Sequence, residues 1–136
     1  MIDITYAPIA LDKLLAAVTT PACGAEVLFV GTTRQWTEGS ETTLLEYASY
    51  EEMALEMLHK LEVEARTRWP VQEVAIVHRL GKVEICEASV AVAVGAAHRD
   101  AAFSAARWLI DEIKLHVPIW KREHGQAADS HWVHPQ

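Results

Sequence analysis

The segment Ala88–Ala97, reading ASVAVAVGAA, is the strongest constraint on this chain, because past Ser89 it is apolar or small at every position. Side chains alternate between the two faces of a strand, so a half-exposed strand shows a polar residue at every second place. A strand without that alternation is covered on both faces and belongs in the middle of a sheet. The remaining chain must therefore supply strands to flank it and helices to cover it.

Four further segments read as strands: Ile2–Tyr6, Glu26–Thr32, Thr42–Ser49 and Val71–Leu80. Between Val71–Leu80 and Ala88–Ala97 the connection is short, across Gly81-Lys82, which implies an antiparallel pair. Three segments have helical periodicity. Ala10–Val18 places Leu11, Leu14, Leu15 and Val18 on one face and ends at Thr19-Thr20-Pro21 and Gly24. Glu51–Trp69 carries a stripe of Ala54, Leu58, Leu61 and Ala65, widened by Met57, and stops at Pro70. Arg99–Val117 buries Phe103, Ala106, Ile110, Ile113 and Val117. Thr33–Glu41 is a polar loop, and the tail, with Trp120 and Trp132, is a last pair of short strands or an extended flap. The expected fold is α+β: one domain over residues 1–136, a mixed or antiparallel sheet, and helices packed on one side. There is no internal repeat, linker or low-complexity segment.

The formal net charge of -7 argues against a general nucleic-acid binder, which needs a basic surface. No apolar run approaches the ~18 residues of a membrane span. MIDITYAPIA lacks the basic start and apolar core of a signal peptide, so a cytoplasmic location is expected. Cys23 and Cys86 form neither a disulfide framework nor a zinc motif and read as structural.

Positive charge gathers late in the chain, at Arg99, Arg107, Lys114, Lys121 and Arg122. In Lys114–Glu123, KLHVPIWKRE, cations alternate with apolar residues that a folded chain buries. A partly buried lysine loses hydration and feels its cationic neighbours, so its pKa falls toward the range of proton transfer. The alternative is a lysine that complements a helix C-terminus beside a wet strand. Two other stretches suit an anion. Arg34, after Thr32 and Thr33 at a strand end, can reach a phosphate or carboxylate with its fork, or can be a surface arginine. His98 and Arg99 open a helix that lacks a Ser, Thr, Asp or Asn cap, which leaves backbone N–H groups for an anion or for water. Lys114 follows Arg99 by fifteen residues in one helix, a separation of roughly 22 Å. One small ligand cannot use both within a subunit, so a shared site would need two copies of the chain. His124, His131 and His134 lack metal-ligand spacing, and no metal is expected. Neither a nucleophile elbow nor a papain-like cysteine context is present.

Five pieces in order carry a resemblance: Gly31 to Arg34, Arg66 to Pro70 (RTRWP), His78-Arg79-Leu80-Gly81, Ala97-His98-Arg99, and Lys114 to Glu123. Together they resemble the large, catalytic subunit family of molybdopterin synthase, over about residue 25 to Val133. The most specific piece is Pro-x-Trp-Lys-Arg-Glu with a lysine four residues before the proline. The resemblance implies an α/β hammerhead-type fold and a sulfur-transfer enzyme that converts cyclic pyranopterin monophosphate (precursor Z) to molybdopterin. It implies a small ubiquitin-like partner whose C-terminal Gly-Gly thiocarboxylate brings the sulfur, and a homodimer within a heterotetramer. No cofactor is implied. Carried over by position, Lys114 and Lys121 are the catalytic lysines. Thr32, Thr33, Arg34, Arg122 and Glu123 join them in substrate binding, and His98 and Arg99 come from the second subunit. The chain ends sooner than many relatives, and the loop Gln35–Ser40 is its own. The rival implication is a non-catalytic pterin- or anion-binding homodimer of the same fold; a second rival only docks a ubiquitin-like tail.

Overall fold

The computed structural model describes residues 1–125 and 132–134. Along the chain lie β1 (Ile2–Thr5), α1 (Leu11–Val18), β2 (Ala25–Thr32), β3 (Trp36–Thr37), β4 (Ser40–Glu41), β5 (Leu44–Ser49) and α2 (Glu51–Arg68). They are followed by β6 (Val71–Arg79), β7 (Gly81–Glu84), β8 (Ala88–Ala96), α3 (Arg99–His116), β9 (Ile119–His124) and β10 (Trp132–Val133). The fold is α+β.

The larger sheet has the order β1-β6-β8-β2, and β8 is interior, antiparallel to both β6 and β2. Only β1 runs parallel to its neighbour, β6. The two-sided apolar pattern of β8 has its explanation in what covers each face. Val92 and Val94, with Val74 and Ile76 of β6, pack into the core that α2 and α3 close with Leu58, Leu61, Leu109 and Ile113. Ala91 and Ala93, with Ala75 and Val77, pack on the other face against Leu14 and Val18 of α1. The expectation of helices on one side is therefore corrected: α1 lies opposite α2 and α3. Small residues let α1 approach closely. At Gly95 an added Cβ would collide with the Val18 carbonyl oxygen and lie 2.9 Å from Cys23 Sγ.

A second sheet has the order β10-β9-β5-β7. The antiparallel pairing expected across Gly81-Lys82 is present between β6 and β8, and the connection itself carries a strand. The chain leaves β6 through Gly81, whose φ of +79° suits glycine, and β7 pairs with β5 before the chain returns into β8. β5 and β9 each have partners on both sides and are the interior strands of this sheet. The loop Thr33–Glu41 contains the hairpin β3–β4, turned through Glu38 and Gly39 at φ of 50° and 80°.

The α2 stripe is buried as its periodicity predicts. Two residues assigned to helix core are not. Leu15 is 38% exposed and Phe103 62% exposed. On α3 the buried face is Ala102, Ala105, Ala106, Leu109, Ile110 and Ile113, which turns Phe103 outward. The tail forms the expected strand pair, β9 with β10.

Candidate functional site

Lys114 lies in the last turn of α3, where Ile113 and Val117 anchor the helix end in the core. The chain turns at Pro118 and comes back as β9, the antiparallel neighbour of β5. In that register Lys121 stands opposite Tyr47, and Arg122 opposite Glu46. Strand alternation then separates the cations of the Lys-Arg-Glu run. Lys121 and Glu123 share one face, with Lys121 Nζ 3.6 Å from Glu123 Oε1. Arg122 takes the other face, where it donates to Glu46 Oε1 at 2.6 Å and stacks 4.8 Å over the Trp132 ring.

Lys114, Lys121, Glu123, Arg34 and Thr32 line a single pocket of about 310 Å³, floored by Tyr47, Ser89 and Val90. Arg34 reaches it from the segment after β2, its Nε donating to Thr37 Oγ1 at 3.4 Å. Burial holds the half-buried Lys114 amine below the usual lysine range, and the charges of Lys121 and Arg34 push the same way. The sequence-based expectation for this lysine has that direction and those causes. Burial likewise pushes the Tyr47 phenol up, so it stays protonated. The pocket therefore offers three cations, one of them with a lowered pKa, together with hydroxyls. Such a set can bind a phosphorylated ligand and exchange protons with it.

Besides Arg122, three of the sequence-selected residues stand elsewhere. Thr33 is buried, its N–H donating to the Glu87 carbonyl and its own carbonyl accepting from Cys86 N–H, so it anchors the loop that carries Arg34. His98 and Arg99 are exposed at the opposite end of α3 from Lys114. His98 is the N-cap without a side-chain cap hydrogen bond, which leaves the first amides of the helix open. Of the tail histidines, His124 hydrogen-bonds Glu46 Oε1 and His134 reaches the Val117 carbonyl; His131 lies outside the described residues.

Tyr47, Ser89 and Thr37 were not legible as pocket residues. Tyr47 shares a face of β5 with Leu45, as a core position would, and only the cross-strand register sets it against Lys121. An apolar groove of about 650 Å³ also starts at Lys114 and follows α3 along β2 as far as Phe103. β2 is an edge strand of its sheet.

Comparison with known proteins bears on this arrangement. Residues 4–116 match the family model described as MoaE protein. The chain is 42% identical over 131 residues to the molybdopterin synthase catalytic subunit of Nostoc sp., covering 96% of this chain and 79% of that one. To the subunit of the same name from Bacillus subtilis it is 40% identical, covering 98% of this chain and 85% of the relative. Among solved structures, the crystal structure of molybdopterin synthase from Staphylococcus aureus superposes with a TM-score of 0.91 at 36% identity, over 96% of this chain and 94% of that one. A subunit 1 and 2 complex of molybdopterin-converting factor from Helicobacter pylori shares the fold, with a TM-score of 0.77 at 22% identity over 98% of this chain and 88% of that one.

Proposed function

This chain belongs to the MoaE protein family, and on that premise we propose the roles its pocket plays in the sulfur transfer of molybdopterin synthase. It is the catalytic subunit. Sulfur from the C-terminal thiocarboxylate of a small ubiquitin-like subunit is transferred to cyclic pyranopterin monophosphate, forming the dithiolene of molybdopterin. One observation carries the assignment of roles: Lys114, Lys121 and Arg34 converge on one pocket that neither cysteine lines. A site that receives sulfur from a partner needs cations and proton donors rather than a sulfur nucleophile of its own.

Lys114 stands where its lowered pKa serves both directions of proton transfer, as acid toward departing oxygen and as base toward the incoming group. Lys121 and Arg34 hold the phosphate and stabilise negative charge as it develops. Thr32 borders the same space, and Glu123 keeps Lys121 in place. Arg122 and Thr33 act from outside the pocket, the first by tying β9 to β5 through Glu46 and the second by anchoring the Arg34 loop.

His98 and Arg99 enter from a second copy of the chain. The groove from Lys114 to the exposed Phe103, beside edge strand β2, is the face on which two copies meet with their α3 helices antiparallel. That arrangement brings the open N-terminus of one α3 toward the Lys114 end of the other. The working assembly is a homodimer carrying one small subunit at each end. A cytoplasmic location is part of the same reading. Among the described residues no helix is long and apolar enough to cross a membrane.

Reconstitution tests the proposal. The purified chain is mixed with thiocarboxylated small subunit and precursor Z, and the product is followed by mass. Wild type should yield a product with two added sulfurs. Lys114→Ala should lose at least about a hundredfold in rate. Precursor binding without any sulfur gain, given a competent partner, would replace the enzyme reading with a pterin-binding one.

A further inference from the structure

Against the sulfur-transfer pocket lies a second, much smaller cavity of about 20 Å³. Lys114, Tyr47 and Ser89 border both spaces. The rest of the small cavity's wall is apolar, with Ile113 and Val117 among its residues, except for one side chain: His78 of β6. His78 is buried at 5% exposure, and the roles set out above leave it unused.

Its chemistry is fixed by its neighbours. His78 Nδ1 lies 2.8 Å from the Arg79 carbonyl oxygen. A carbonyl only accepts, so Nδ1 carries the hydrogen, and in the neutral ring Nε2 is a bare acceptor. Burial keeps the ring neutral, with its pKa lowered to about 4. The Tyr47 ring packs edge-on against the imidazole, centroids 5.1 Å apart, and fixes its plane. Of the donors around the cavity, the Ser89 hydroxyl is directed to the Gly31 carbonyl at 3.3 Å. The Lys114 amine is the charged donor that borders the space. The cavity has the volume of a single water, and its wall includes both His78 and Lys114.

We propose that His78 is a positioning residue for Lys114, its Nε2 accepting a hydrogen bond from one water in the shared cavity to which the lysine amine donates. The water tethers the end of a long, flexible side chain that would otherwise sample several rotamers. It also favours the charged amine, because an acceptor stabilises a donor that carries positive charge. The groups facing Lys114 then form a balance. Lys121 of β9 and Arg34 after β2 disfavour its charge; the acceptor chain from His78 favours it, and Glu123 of β9, in the same pocket, is paired with Lys121. Tyr47 of β5 stays neutral throughout.

The proposal rests on the sulfur-transfer reading only in its assay arm, and the two are tested separately. Lys114 acylation by acetic anhydride, read by peptide mass from neutral pH to about pH 10, reports the fraction of free amine in the intact chain without any turnover. His78→Leu removes the acceptor. His78→Asn keeps a donor for the Arg79 carbonyl but falls short of the cavity, and His78→Gln reaches the cavity with an acceptor oxygen. Labelling of Lys114 below its midpoint should rise about tenfold in the Leu and Asn variants, a shift of about one pH unit, and stay within about threefold of wild type in the Gln variant. In the reconstituted enzyme the Leu and Asn variants should lose about tenfold in kcat with KM for the precursor within about twofold, and Gln should restore it. Unchanged labelling in folded Leu and Asn variants overturns the proposal. Should Leu not fold, the Asn and Gln pair decides; should none of the three fold, the histidine is structural and the proposal falls. A wild-type enzyme that makes no product defeats the sulfur-transfer reading and leaves the labelling result to stand alone.

Discussion

Lys114 meets Lys121 and Arg34 across one pocket, and what separates it from an ordinary surface lysine is its half-buried position in the last turn of α3. Burial contributes most to lowering its pKa and the two cations contribute less, so substitution of either cation alone should leave Lys114 perturbed. His78 allows a sharper statement. Its pKa is about 4 in the folded chain against 6.5 unperturbed, with burial as the leading cause and the charge of Lys114 as a lesser one. The unfolded chain therefore binds more protons between these values. Stability is intact above about pH 6.5 and falls as the pH drops toward 4. The loss from this group is about 3 kcal/mol, from the conversion of pKa shifts into free energy. Urea unfolding at neutral and acidic pH should show wild type losing that much more than His78→Gln. Equal losses would mean that His78 does not govern acid stability.

At the scale of elements, α3 does two jobs with two faces. Its inner face, with Leu109 fully buried, holds the larger sheet; its outer face leaves Phe103 62% exposed along the groove to Lys114. Leu109→Ala should cost about 2–5 kcal/mol in urea unfolding, as large-to-small changes in a packed core do. Phe103→Ala should stay within about 0.5 kcal/mol in the dissociated chain. Comparable costs at the two positions would contradict the division of faces. The periodicity of α3 made Phe103 look like core because an apolar residue at helical spacing reads the same whether its cover is a sheet or another molecule. Leu15 of α1 departs from its predicted face in the same way. Helix existence was legible, but the width of each buried face depends on what packs there.

At the scale of the molecule, the length of α3 has a consequence for assembly. Arg99 and Lys114 sit at its two ends, roughly 22 Å apart, while Lys114 and Lys121 share one pocket. If Arg99 serves the partner's pocket, variants dead in one residue each can rescue one another. Arg99→Ala and Lys114→Ala, each inactive, should regain about a quarter of wild-type activity after subunit exchange, since half the dimers are mixed and each mixed dimer holds one complete site. No recovery despite proven exchange would place Arg99 outside the reaction.

The sequence by itself determined that β8 is interior and that three helices accompany it, and its resemblance to a family put Lys114 and Lys121 together in one expected site. Those readings rest on local periodicity and on a short, specific run of residues, and both are present without folding. The tertiary structure decided the rest. It put α1 on the opposite face from α2 and α3, and made Gly81–Glu84 a strand of a second sheet. It sorted Lys121 into the pocket and Arg122 out of it through the pairing of β9 with β5, segments far apart in sequence. Tyr47 and His78 came to lie beside Lys114 for the same reason. Alternation along a strand is a local property, but which face meets which partner is set by register with distant strands, and no short stretch of residues contains it.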